Sequence, residues 1–256
     1  MGFLYVDGHV RAYHGKRPLP KAHLARMRLS MPATTDYWVN DAEGEPMFVV
    51  TAEANEGLVQ MLPGVLDEVR ALIGDRRVTV VFDRGGWSPK LFHRLLASGF
   101  DILTYRKGKS TPLPASRFSD HELELDDRQI HYRLADTGTY LAYGPPHARK
   151  RMHLRQVTRL SDDGSHQTPI ITSRRDLSAA EIAHRMFERW RQELCSALHS
   201  SCDPHLRIVR SPPWRAPHNT KVGITGELLQ VPARGVCPRC AGRLRRRTGR
   251  RLARGP

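Results

Sequence analysis

Between Leu58 and Tyr105 the sequence changes its hydrophobic period three times, and that alternation limits the chain to a small set of folds. Leu58, Met61, Leu62, Val65, Leu66, Val69 and Leu72 recur at steps of three and four, which predicts a helix stopped by Gly74. Val78, Val80, Val81 and Phe82 then form a run too short for a helix, rich in β-branched and aromatic residues and closed by Gly85 and Gly86. Ser88 and Pro89 open a second helical pattern, with Ser88 as N-cap and Pro89 at the first helical position. Leu91, Phe92, Leu95 and Leu96 share its apolar face, Gly99 ends it, and "FDILTY" returns to strand. Upstream, a run ending in Asp7 predicts a first strand, Val10, Ala12 and Tyr13 suit a hairpin, and Phe48 to Thr51 predict another strand. Strands alternating with helices in this way imply a partly parallel, helix-covered α/β sheet.

From residue 117 to 173 the pattern becomes strand-rich. "HELELDDRQIHYRLAD" alternates around an Asp-Asp-Arg turn, "TYLAYG" reads as a short strand, and "LRQVTRLSDDGSHQTPIITS" as two strands joined by an Asp-Asp-Gly turn. Residues 1–116 are therefore expected to form the first part of a core, 117–173 a β-rich insertion or extension of its sheet, and 174–193 a final core helix. That helix begins near Asp176 or Ser178 and carries Ile182, Met186, Phe187 and Trp190 as its apolar stripe.

The composition shifts at about Leu194. Residues 194–256 hold 13 Lys and Arg against Asp203 and Glu227, a net of +11, whereas residues 1–193 hold 28 basic and 24 acidic side chains, a net of +4. All four cysteines, Cys195, Cys202, Cys237 and Cys240, fall in the basic part, and "CPRC" could form half of a zinc site. A poorly ordered, arginine-rich tail binding nucleic acid is the preferred expectation there. No run approaches the roughly 20 apolar residues of a membrane span. The start "MGFLYVDGHV" lacks the basic leader of a secretory signal, so a cytoplasmic location is expected.

Three carboxylates could work together: Asp7 and Asp83 at strand ends, and Glu193 on the last helix. If the two strands are neighbours and the helix crosses their edge, three hard oxygen ligands converge, suited to Mg²⁺ or Mn²⁺. Such ions serve phosphodiester chemistry, and a net charge of +15 agrees with a polyanionic partner. Lys16, Arg17, Lys21, Arg26 and Arg28 crowd the segment after the first strand, while Arg106, Lys107 and Lys109 follow the strand ending at Tyr105. They are the candidates for phosphate contacts that position DNA without reading its sequence. His9, His14 and His23 have no spacing that would gather them around a metal and are read as polar hairpin residues.

"YVDGHVRAYHGKRPLPKAH", "VVFDRGGWSPKLF" and "MFERWRQE" together resemble the bacterial insertion-sequence transposases of the DDE class, in particular the IS4-like group. The resemblance covers Gly2 to Glu193 and implies an RNase H-like catalytic core with a β-rich insertion between the second aspartate and the glutamate. It implies Asp7, Asp83 and Glu193 as catalytic metal ligands, transposon ends and target DNA as partners, and a homodimer as a candidate assembly. In the tyrosine, arginine, glutamate and lysine signature of that group, Arg189 holds the arginine place and is expected near DNA. Met186 stands where the tyrosine would be, and Ser200 where the lysine would be. The match ends at Glu193, which leads to the expectation of a truncated or frameshifted transposase with weak or no sequence-specific transposition. The alternative reading is a nonenzymatic, basic nucleic-acid-binding protein.

Overall fold

The computed structural model describes residues 2–24, 27–54, 56–108, 110–125 and 128–189. Ten strands join one mixed sheet: β1 (Gly2–Ala12), β2 (Lys21–Leu24), β3 (Leu29–Asn40), β4 (Pro46–Glu53), β5 (Val78–Phe82), β6 (Phe100–Tyr105), β7 (Ser119–Leu125), β8 (Arg128–Tyr143), β9 (Lys150–Leu160) and β10 (Gln167–Thr172). Their order is β2-β3-β1-β5-β6-β10-β9-β8-β7, with β4 also on β3. β1, β5 and β6 run parallel at the centre, and every other pairing is antiparallel.

The parallel centre exists because two helices return the chain across one face. α1 (Leu58–Ile73) buries Leu58, Leu62, Val65, Leu66 and Val69, and Gly74 at φ 64° ends it. α2 (Pro89–Ala97) starts where the Ser88 hydroxyl accepts the Leu91 N–H at 3.3 Å, as the Ser-Pro pair predicts. Both pack on Leu4, Val6, Val80, Phe82 and Ile102. Full burial of each such side chain contributes about 1.5–3 kcal/mol.

A third helix, α3 (residues 179–189 within the described chain), covers the opposite face. Ile182, Ala183 and Met186 meet Phe3, Tyr5, Val81 and Leu103 there. Ser178 and Glu181 form a reciprocal cap: the Ser178 N–H donates to Glu181 Oε2 at 2.7 Å, and the Glu181 N–H donates to Ser178 Oγ at 3.1 Å. The helix thus begins where the sequence indicates. Phe187 is half-buried on the same cluster, while Trp190 lies outside the described residues.

Three features depart from the sequence reading. β3 was not expected, because Pro32, Thr34, Thr35 and Asp36 interrupt its apolar pattern. Asp36 is 2% exposed and bound on both oxygens, by Arg11 Nη1 at 2.7 Å and Thr51 Oγ1 at 2.8 Å, which lets a polar strand lie in the interior. Asp7 is not at a strand end: β1 continues to Ala12 because β3 keeps pairing with it, through Ala12↔Ala33, after β5 has stopped at Phe82. The two runs taken as separate strands in "RQIHYRLADTGTYLAY" are the single strand β8, which pairs with β9 from Arg133↔Leu160 to Tyr143↔Lys150. β7 closes the order on that side, with Asp120, Glu122 and Glu124 exposed at alternate positions.

Candidate active site

Asp7 and Asp83 are brought together by the parallel pairing of β1 with β5. Val6 is level with Phe82, so each aspartate follows immediately at the next position of its own chain. Neighbouring strands are roughly 4.8 Å apart. Along β1, Leu4 and Val6 face α1 and α2 while Phe3 and Tyr5 face α3; along β5, Phe82 and Val81 divide in the same way. Alternation along β1 therefore turns Asp7 to the α3 side, while Asp83 follows the last residue of β5 and caps the next turn.

Each carboxylate is oriented by its own neighbours. Asp83 Oδ1 accepts the Gly85 N–H at 2.7 Å, capping a 3₁₀ turn over Arg84–Gly86, and the Asp83 carbonyl accepts from Thr104 Oγ1 at 3.2 Å. The glycines are fitted to this turn. A Cβ on Gly85 would sit 2.8 Å from Asp83 Oδ1, and one on Gly86 would sit 2.5 Å from Phe82 Cδ2. Asp7 keeps a 19% exposed side chain between Arg189 and His9, with Arg189 Nη1 3.5 Å from Oδ1 and His9 Nε2 3.5 Å from Oδ2. Arg189 is 5% exposed and is held in place by the packing of α3.

A second set of polar groups lies two residues back along β1. Burial raises the Tyr5 hydroxyl pKa, and the nearby Glu188 charge raises it further, against a smaller opposing effect of Arg185. Burial also works to raise the Glu188 carboxyl. The hydrogen bonds and charges of His184, 3.3 Å away, and Arg185, 2.9 Å away, outweigh it and hold Glu188 below its ordinary value. His184 in turn lies 3.2 Å from the Tyr132 hydroxyl. These contacts fix α3 against β1 and β8. The sequence reading passed over Tyr5, His184 and Glu188, although Glu188 stands beside Arg189 and Tyr5 stands two before Asp7. On the other face, burial and the charges of Glu56 and Asp83 push the Tyr37 hydroxyl up to about 12.

Of the cations expected to meet DNA, Lys16, Arg17, Lys21 and Lys107 are exposed. Arg17 Nη2 also lies 4.0 Å from Glu53 Oε1. Arg106 is engaged inside the sheet, its Nη1 donating at 2.7 Å to both Thr139 Oγ1 and Gln156 Oε1. Glu193, Lys109, Arg26 and the four cysteines lie outside the described residues. Among the described residues no three His, Cys, Asp or Glu side chains form a metal-binding group, and no helix is long and apolar enough to cross a membrane.

Fold and site together define an α/β protein with an acidic pair at the centre of a mixed sheet, roofed by an arginine-bearing helix. The family described as "Transposase protein" matches residues 1–200, and the chain belongs to that family of transposases. Among solved structures, one match is to the cryo-EM structure of a piggyBac transposase synaptic complex with hairpin DNA, at 10% identity and a TM-score of 0.47. That match covers 82% of this chain and 41% of the other, so this chain spans less than half the length of the protein it matches. Comparison with curated proteins finds no match.

Proposed function

We propose that the chain is the catalytic part of a DDE transposase, cutting and joining DNA with Asp7, Asp83 and Glu193 as its carboxylates. The observation that carries the reading is that Asp7 and Asp83 each follow directly on the level residues Val6 and Phe82 of two neighbouring parallel strands, in a member of a transposase family. The order β4-β3-β1-β5-β6, with β3 antiparallel and the other central strands parallel, supports an RNase H-like core, and β7 to β10 then form its β-rich insertion. Glu193 enters from sequence alone. It falls four residues after Arg189, a spacing that shares a helix face wherever a helix continues.

The donor chemistry of the two aspartates fits a hard divalent cation such as Mg²⁺ or Mn²⁺, which prefers carboxylate oxygens. When bound, such ions supply activation of a water or 3′-hydroxyl and stabilisation of the leaving oxygen. The chain's own residues set up the site. Gly85 N–H orients Asp83, Arg189 and His9 bracket Asp7, and the exposed Lys16, Arg17, Lys21 and Lys107 offer contacts to the phosphate backbone.

Nicking of supercoiled DNA by the full chain in Mg²⁺ tests the reading. Asp7→Asn, Asp83→Asn and Glu193→Gln are each expected to lower the rate by about 10²-fold or more while DNA binding is kept. Binding by the wild-type chain without any metal-dependent nicking would instead support the nonenzymatic reading.

A further inference from the structure

The β8–β9 hairpin carries a patch that the carboxylate site does not use. From Thr137 to Ser161 there is no Asp or Glu, and five Lys and Arg fall within that span: Arg149, Lys150, Arg151, Arg155 and Arg159. Two of the five are committed internally. Arg155 grips Asp136, with Nη2 2.6 Å from Oδ2, and Arg159 lies over the Phe187 ring at 4.8 Å. Arg149, Lys150 and Arg151 remain exposed at the start of β9.

Near them stands Tyr140, 67% exposed, a large aromatic ring left in solvent toward the end of β8. It is not a loose side chain. Its ring centroid is 4.8 Å from that of His153 across the β8–β9 pair, and His153 Nδ1 lies 2.7 Å from Arg175 Nη2. The row depends on Gly138, where a Cβ would come within 2.4 Å of His153 Nε2. One edge of the Tyr140 ring is thus fixed while the rest faces water among cations.

His153, Arg155 and Val157 stand at alternate positions of β9, with Arg155 and Val157 turned toward α3, so the patch opens on the α3 side of the sheet, the side of Asp7. The pairings Phe82↔Thr104, Ile170↔Tyr105 and Ile170↔Val157 put Asp83 level with Val157. From there His153 is four residues down β9 and three strand spacings across, roughly 20 Å away. That distance corresponds to about six nucleotides of a stacked strand.

We propose that Tyr140, His153 and the exposed Arg149 and Arg151 form a second nucleic-acid site, which takes an unpaired stretch of DNA by stacking a base on Tyr140 and neutralising its phosphates. A flat, sequence-tolerant aromatic surface with cations on one side is the arrangement that single strands bind. The inference rests on the reading of this protein as one that handles DNA.

The test is fluorescence anisotropy of the full chain with a labelled single-stranded oligonucleotide and with a blunt duplex of the same sequence, over a range of salt. Tyr140→Ala is expected to weaken single-strand binding roughly tenfold and duplex binding by less than twofold, and Tyr140→Phe to leave both unchanged. Arg151→Ala should make the salt slope for the single strand shallower by about 0.7, the value for one lost phosphate contact. Equal loss on both substrates, or none, in Tyr140→Ala overturns the stacking site. If wild-type protein still nicks DNA in Mg²⁺, that outcome leaves the carboxylate reading standing. Tyr140-dependent binding by a chain that never nicks would instead sink the carboxylate reading and keep this one.

Discussion

Arg189 and Asp7 lie 182 residues apart in sequence and 3.5 Å apart in space, Nη1 to Oδ1. That separation is long for a hydrogen bond, so charge attraction dominates the contact. It ties the roof of the site to its floor. Arg189→Ala leaves Asp7 with one cation fewer, and a loss of about 1–3 kcal/mol of stability in metal-free buffer is expected. Mg²⁺ should restore part of that loss, read as a larger rise in melting temperature on adding Mg²⁺ than the wild type shows. Equal Mg²⁺ shifts in the two proteins would count against a shared cation role.

Gly85 serves the Asp83 carboxylate directly. An added Cβ 2.8 Å from Oδ1 must push that oxygen aside. Gly85→Ala is therefore expected to change stability by less than about 1 kcal/mol, because the turn is exposed, and to lower metal-dependent nicking at least tenfold. Comparing urea midpoints with nicking rates checks both halves.

Glu188 makes stability depend on acid pH. Its carboxyl is lowered in the fold, so its contribution is present above the ordinary value of 4.5 and is lost as pH falls through the lowered value. Glu188→Gln should reduce stability at neutral pH and flatten the acid limb of the curve. Urea unfolding at intervals below pH 5 measures this.

Tyr37 acts at the alkaline end. Its hydroxyl donates to the Glu56 carbonyl, and its pKa stands at about 12 against an ordinary 10.0. A raised value means that the contribution is complete below pH 10 and disappears as pH rises toward 12. Tyr37→Phe is expected to cost about 0.5–1.5 kcal/mol at neutral pH and to lose less than the wild type between these limits. Thermal melts from pH 8 upward would reveal the difference.

The parts of this fold that were legible in the sequence are those where one physical rule acts alone. α1, β5, α2 and β6 follow from apolar period and from Gly74, Ser88, Pro89 and Gly99 at their ends. That Asp7 and Asp83 follow level positions of neighbouring strands was likewise foreseeable once β1 and β5 were taken as neighbours. What escaped notice depends on partners far along the chain. β3 is hidden by Asp36, whose burial makes sense only with Arg11 and Thr51 beside it. The length of β8 was obscured by Gly138, which reads as a break but accommodates the His153 ring. The Tyr5, Glu188 and His184 group needs β1 and α3 in contact, and no local pattern announces that.

β7, the strand that ends the sheet, has a consequence for how copies of this protein meet. An uncovered strand edge is a template for another strand, and wide sheets need a guard against stacking edge to edge into fibres. Asp120, Glu122 and Glu124 stand exposed on alternate residues there, so a second β7 laid antiparallel against the first would set carboxylate against carboxylate. This edge repels its own copy, and replacing the three carboxylates by neutral side chains would remove the guard against sheet-to-sheet aggregation.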